Sequence, residues 1–167
     1  VGNVSMLALL DLSAAFDTVD HAILLQRLTT SHNIDGSTHS WFASYLTDRV
    51  QSVCFAGITA PPTPVLHGVP QGSVLGPLLF LLYTSDIPNI VQLHDLLCQC
   101  YADDTQLYFH LKPHDTIPAV SRLESCIENI HKWLASNRLK LNPDKTEFMW
   151  CSSARRSGTF HQPVLSV

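Results

Sequence analysis

Two apolar runs, residues 97–102 and 105–110, are separated only by Asp103 and Asp104. Both are rich in Leu, Tyr, Phe and Cys, which fits strands. Two residues make the shortest hairpin turn, and aspartate tolerates its dihedrals. The pair therefore reads as an antiparallel hairpin, and the remaining elements are to be assembled around it.

Ser5 to Leu12 is a short apolar run ending in a charge, as a fully buried strand would be. Asp17 or Asp20 can cap a helix over about 20–30, with Ile23, Leu24 and Leu28 as its apolar stripe. Ser37 is expected to cap a second helix to about Leu46 and to bury Trp41, Phe42 and Tyr45. Residues 49–56 and 63–67 read as strands around a turn at Thr59-Ala60-Pro61-Pro62. Gly72 and Ser73 open an apolar helix over about 73–86, with Pro77 in its first turns, where proline is best tolerated. The clearest helical period runs from 116 to 137, through Ile117, Val120, Leu123, Ile127, Ile130 and Leu134. Asn142-Pro143-Asp144 turns into a last strand over about 146–151, and 152–167 read as a loose C-terminal tail. The order β-α-α-ββ-α-ββ-α-β, with antiparallel hairpins, gives the α+β class: one sheet with helices packed mainly on one face.

A chain of 167 residues suits one domain and can bury a core of its own. Charged residues are 14% and apolar residues 46%, which excludes disorder and leaves an unusually apolar surface. Residues 50–85 carry no Asp, Glu, Lys or Arg, yet Pro and Gly break the stretch and its apolar centre, Val74 to Tyr83, is far short of the roughly 20 residues of a span. The expectation is a buried or partner-covered helix and no membrane. Five cysteines without Cys-x-x-Cys spacing read as reduced thiols in an intracellular protein. No signal peptide is read at the start, and the opening at Val1, within a structured element, reads as a piece of something longer. Residues 1–110 hold nine acids against two bases, Arg27 and Arg49, whereas 111–167 hold eight bases against five acids. Phosphate chemistry on the acidic part would need metal ions or basic partners to offset it.

Asp11 ends the first strand, and Asp103 and Asp104 sit at the tip of an apolar hairpin. If strand and hairpin are neighbours, three carboxylates converge at one sheet edge. Like charges so close destabilise one another unless a cation sits among them. Oxygen donors of this kind suit Mg²⁺ or Mn²⁺, and two such ions about 3.5–4 Å apart clamp an in-line displacement at phosphorus. Taken alone, the same residues fit a polar turn and a helix cap equally well.

Four ordered stretches carry a resemblance: Leu10-Asp11-Leu12-Ser13-Ala14-Ala15-Phe16-Asp17, His67-Gly68-Val69-Pro70-Gln71-Gly72-Ser73, Tyr101-Ala102-Asp103-Asp104 and Leu141-Asn142-Pro143-Asp144-Lys145-Thr146. Together they resemble the palm of a reverse transcriptase of non-LTR (LINE-type) retrotransposons, most of all the CR1/L2/Jockey-like branch, over about residues 1–151. The resemblance implies an RNA-directed DNA polymerase in which Asp11, Asp103 and Asp104, with the Leu12 carbonyl, hold two Mg²⁺ or Mn²⁺ ions. A primer 3′-hydroxyl would attack the α-phosphorus of a dNTP and release pyrophosphate. Phe16 matches the aromatic steric gate against a ribose 2′-hydroxyl. Gln71 and Gly72 match the loop that approaches the nascent base pair. Lys145 matches a lysine that donates a proton to pyrophosphate or contacts phosphate. Asp17 reads as a structural helix cap, and Tyr101 as packing on the primer side or the core.

Implied partners are an RNA template, a DNA primer and dNTP, together with the fingers, thumb and an endonuclease segment of a longer chain, in the nucleus and cytoplasm. A different reading is a relic palm without polymerase activity, at most an interaction module. A group II intron maturase shares the fold but resembles the first stretch less.

Overall fold

A computed structural model of the chain describes residues 4–112 and 114–152. The expected tail, from 153 on, lies outside the described residues. In chain order the elements are β1 (Val4–Leu10), α1 (His21–Thr30), α2 (Gly36–Leu46), β2 (Val50–Gln51), β3 (Cys54–Phe55), β4 (Ile58–Thr59), β5 (Thr63–Pro64), α3 (Leu75–Tyr83), α4 (Ile87–Gln92), β6 (Leu97–Tyr101), β7 (Asp104–Leu111), α5 (Thr116–Ser136) and β8 (Glu147–Cys151). Short 3₁₀ turns occupy Ala15–Asp17 and Pro143–Lys145. Two compact units result, one formed by the chain through Ser13 and from Thr84 on, the other by Ala14–Tyr83.

The first unit is a four-stranded sheet in the order β6-β7-β1-β8, antiparallel throughout. Side chains alternate across a strand. Val4, Met6, Ala8 and Leu10 of β1 and Thr105, Leu107, Phe109 and Leu111 of β7 are buried on one face. The other face carries Leu7 opposite Tyr108 and Leu9 opposite Gln106, and it stays more open. α5 covers the buried face: Val120, Leu123, Ile127, Ile130 and Leu134 are buried, and Arg122 lies over the Phe109 ring at 5.4 Å. Ile117, expected in that stripe, is exposed, because Thr116 takes the buried position in the first turn of α5 and the stripe continues at Ala119 and Val120. Fully burying one such aliphatic side chain contributes about 1.5–3 kcal/mol. All five cysteines are free thiols. Burial, with Cys100 beside it, pushes the Cys98 thiol up to about 11, and burial with Cys98 nearby does the same for Cys126.

In the second unit α1 packs on α2 and α3, burying Leu24 and Leu28. Asp20 caps α1, its Oδ1 accepting from Ala22 N at 2.9 Å and Ile23 N at 3.1 Å. Asp17, read as a cap, is instead the last residue of the preceding 3₁₀ turn. Helix α2 starts at Gly36, one residue before the expected cap Ser37, with Asp35 as its N-cap residue. Its aromatics do not form core. Trp41 is 52% exposed, stacked on Tyr45 (5.6 Å) and edge-on to Phe42 (5.2 Å), so the three shield one another. The expected turn at 59–62 is displaced: Ala56 and Gly57, both with positive φ, join β3 to β4 inside the β2–β5 pair. Two consecutive left-handed residues are what a tight hairpin turn demands. Helix α3 is shorter than expected; Val74, just before it, and Leu78, within it, are exposed beside buried Leu79, Phe80 and Tyr83. Among the described residues no helix is long and apolar enough to cross a membrane.

Candidate active site

The β1–β7 ladder ends at the pair Leu10–Thr105, so Asp11 and Asp104 are the next residues outward on neighbouring strands. Tyr101 pairs with Asp104, which closes the hairpin through Ala102 and Asp103 rather than Asp103 and Asp104. The one-residue shift makes Asp104 the first residue of β7 and leaves Asp103 in the turn. Ala102 takes φ 53°, a left-handed conformation that costs a non-glycine residue about 1–3 kcal/mol. By the alternation of the sheet, Asp104 shares the open face with Gln106 and Tyr108. Tyr101 is exposed and contributes nothing to the core.

Asp11 is tied to the turn before β8. Its backbone carbonyl accepts from Asn142 N at 2.8 Å, its Oδ2 from Asn142 Nδ2 at 3.1 Å, and Lys145 Nζ stands 3.9 Å from the same oxygen. Lys145 is largely exposed, so this ion pair contributes at most about 1 kcal/mol. Leu12 bridges to Leu141, but the bonds of that bridge run from Asn142 N to Asp11 O and from Ser13 N to Lys140 O. The Leu12 carbonyl takes no part in it.

The strand ends therefore converge as expected, while the three carboxylates do not form a closed cluster. Among the described residues no group of three His, Cys, Asp or Glu side chains is arranged to hold a metal ion. The donor chemistry nevertheless fits a hard divalent ion: three carboxylates and an uncommitted carbonyl, with an ammonium already drawn to Asp11.

Phe16, Gln71 and Gly72 belong to the second unit. Phe16 is half-buried, its ring 5.1 Å from that of Phe80. The loop 67–72 is strapped to the same turn. Val69 N donates to Phe16 O (2.8 Å), Gly68 N to Val19 O (2.8 Å), and His21 Nε2 lies 2.7 Å from Gly68 O. Gln71 Nε2 donates to Asp17 Oδ1 at 2.9 Å. Asp17 and Gln71, with Arg49 and His67, line a hollow of about 620 Å³. Gly72 has φ +76° and open space around it, so its conformation needs glycine but no neighbour does. The tight fit is at Gly68, where a Cβ would meet Phe16 O at 2.9 Å and Asp17 Cα at 3.0 Å.

The sequence pattern of the family "Reverse transcriptase (RNA-dependent DNA polymerase)" matches residues 2–160. The chain belongs to the reverse transcriptase family. It is 32% identical over 143 residues to the RNA-directed DNA polymerase from mobile element jockey of Drosophila melanogaster, covering 83% of this chain and 15% of that protein. A probable RNA-directed DNA polymerase from transposon BS of the same fly is 32% identical over 142 residues, again 15% of its length. Among solved structures, apo telomerase from Candida tropicalis superposes with a TM-score of 0.65 at 15% identity, over 90% of this chain and 31% of that one. The likeness supports the fold, a polymerase palm, and the relatives are those of non-LTR elements, as the motifs implied. The chain spans about 15% of the length of these polymerases.

Three contributors went unread in the sequence: Asn142 on Asp11, and His21 and Gly68 around the loop. Asn142 and Gly68 lie inside the quoted motifs, so a signal existed. Nothing local marks His21, which acts across 47 residues.

Proposed function

We propose that this chain is the palm segment of an RNA-directed DNA polymerase, joining a dNTP to a primer 3′-hydroxyl on an RNA template. The observation that carries the reading is the end of the β1–β7 ladder, which sets Asp11 and Asp104 side by side with Asp103 in the adjoining turn. These carboxylates, with the Leu12 carbonyl, would hold two Mg²⁺ or Mn²⁺ ions; when bound, such ions lower the pKa of the attacking hydroxyl and neutralise charge on the triphosphate. The chain's own residues do the rest by positioning. Asn142 orients Asp11. Lys145, exposed and 3.9 Å from Asp11, is suited to meet the leaving pyrophosphate and give it a proton. Phe16, braced by Phe80, would fill the space of a ribose 2′-hydroxyl. Gln71 and Gly72 present side-chain amide and backbone to the nascent pair. Fingers, thumb and an endonuclease segment would come from the remainder of a chain as long as its relatives.

The test is thermal melting of the 167-residue chain across a Mg²⁺ and Mn²⁺ titration, paired with primer extension by a polymerase carrying this palm between complete flanks. Metal stabilisation that disappears in Asp103→Asn, and extension that disappears with it, are expected. A folded sample whose melting temperature ignores metal, and a variant that still extends, would overturn the assignment. A relic palm predicts metal binding without extension.

A further inference from the structure

The acidic edge leaves the basic surplus of residues 111–167 unused. Part of it gathers at the other end of the sheet. Where β7 runs out and α5 begins, a hollow of about 510 Å³ is lined by His110, Lys112, Asp115, Pro118 and Arg122, among others. Leu111 pairs with Val4, six residues along β7 from Thr105. At about 3.3 Å per residue the hollow lies some 20 Å from the carboxylates.

Two cations here lack counterions. Arg122 rests on the Phe109 ring and makes no hydrogen bond or ion pair among the described residues; its Nε is buried and meets no acceptor. A buried donor without an acceptor is destabilising, the more so when it is charged. Lys112, exposed on the rim, has no acidic partner among the described residues either. Asp115 lines the same hollow; its nearest cationic group is His114, at 3.6 Å and charged only when protonated, and it gives the first turn of α5 no side-chain cap. His110 is held by Ser5 Oγ at 2.7 Å. Two cations without acidic partners among the described residues, beside a helix start that lacks a side-chain cap, form a site for an anion.

We propose that this hollow binds the phosphodiester backbone of a nucleic-acid strand through Arg122 and Lys112, as a second contact remote from the catalytic edge. A phosphate diester matches the pair of cations, and the apolar wall at Pro118 suits the adjoining sugar. The contact reads backbone charge and not sequence.

The test uses the 167-residue chain with short labelled single strands of RNA and DNA, followed by anisotropy between 50 and 200 mM salt. Each phosphate contact adds about −0.7 to the slope of log K against log salt for single strands. Lys112→Gln should reduce the slope by that amount and weaken binding about fivefold at 0.1 M salt. Arg122→Met should do the same, with melting to show that it folds; Lys112→Gln, at an exposed position, keeps the test open if it does not. Asp115→Asn should strengthen binding. RNA and DNA should lose equally. Unchanged slopes in a folded Lys112→Gln, a loss confined to one strand type, or a loss seen with poly-glutamate and not with either strand would overturn the proposal, the last marking a site for acidic protein.

Discussion

Gly68→Ala tests how the loop before Gln71 is held. At φ +88° an alanine carries backbone strain of about 1–3 kcal/mol. Its Cβ would also press on Phe16 O at 2.9 Å and on Asp17 Cα and O at 3.0 Å. These are backbone atoms that cannot swing aside, so overpacking adds about 1–3 kcal/mol. Reduced freedom of the unfolded chain returns about 0.4–1 kcal/mol. The net loss is about 1–5.5 kcal/mol. Gly57→Ala is the matched control, with φ +79° and nothing within 4 Å of the added methyl. It should lose only the strain, about 0–2.5 kcal/mol after the same offset. Urea unfolding separates the two: with m near 2 kcal/mol/M, the overpacking alone should lower the midpoint of the Gly68 variant by about 0.5–1.5 M more than that of the Gly57 variant. Equal shifts would refute the argument that the loop is pinned by backbone-to-backbone contact with the Phe16 turn.

Asp20→Ala should cost about 1 kcal/mol by uncapping α1, and Asp17→Ala clearly less, measured by the same unfolding; the reverse order would restore Asp17 as the cap. Cys98 and Cys126, with thiols pushed up to about 11 mainly by burial, should hold roughly one part in a thousand as thiolate at pH 8. Iodoacetamide with mass spectrometry should therefore label exposed Cys54 well before them. Between pH 9 and 11 the folded chain keeps protons that the unfolded chain releases, so stability should fall as pH rises; a flat profile there would contradict the burial. In a polymerase carrying this palm, Phe16→Ala should narrow the preference for dNTP over rNTP in primer extension, and an unchanged preference would remove Phe16 as the gate.

Strong periods survived folding and short elements did not. The 116–137 period became α5 almost residue for residue, because its apolar stripe has a whole sheet face to cover. At its N-terminal end Thr116 rather than Ile117 takes the buried position, and Ile117 faces solvent. Helix α4, six residues with Pro88 in its first turn, is too short to display a period. The aromatics Trp41, Phe42 and Tyr45 have helical spacing, yet spacing cannot distinguish burial in a core from stacking on one another at the surface. Both misplaced turns arose from reading residue type as turn position. Alanines at 56 and 102 accept positive φ because strand pairing on either side dictates the register. In the site, motif residues were legible as chemical types. The partners that aim them, Asn142 and His21, come from distant chain and were legible only once strands and helices had met.

The alternation along β1 ties the carboxylate proposed to hold metal to the core in phase. Val4, Met6, Ala8 and Leu10 face inward, and Asp11 is the next beat. Inserting or deleting one residue within this strand would leave its composition intact, yet either the aliphatic row or the carboxylate would be turned to the wrong side. A one-residue slip within this strand should therefore cost either the packing or the proposed metal site, whereas exchanges of side chain at fixed length keep both in phase.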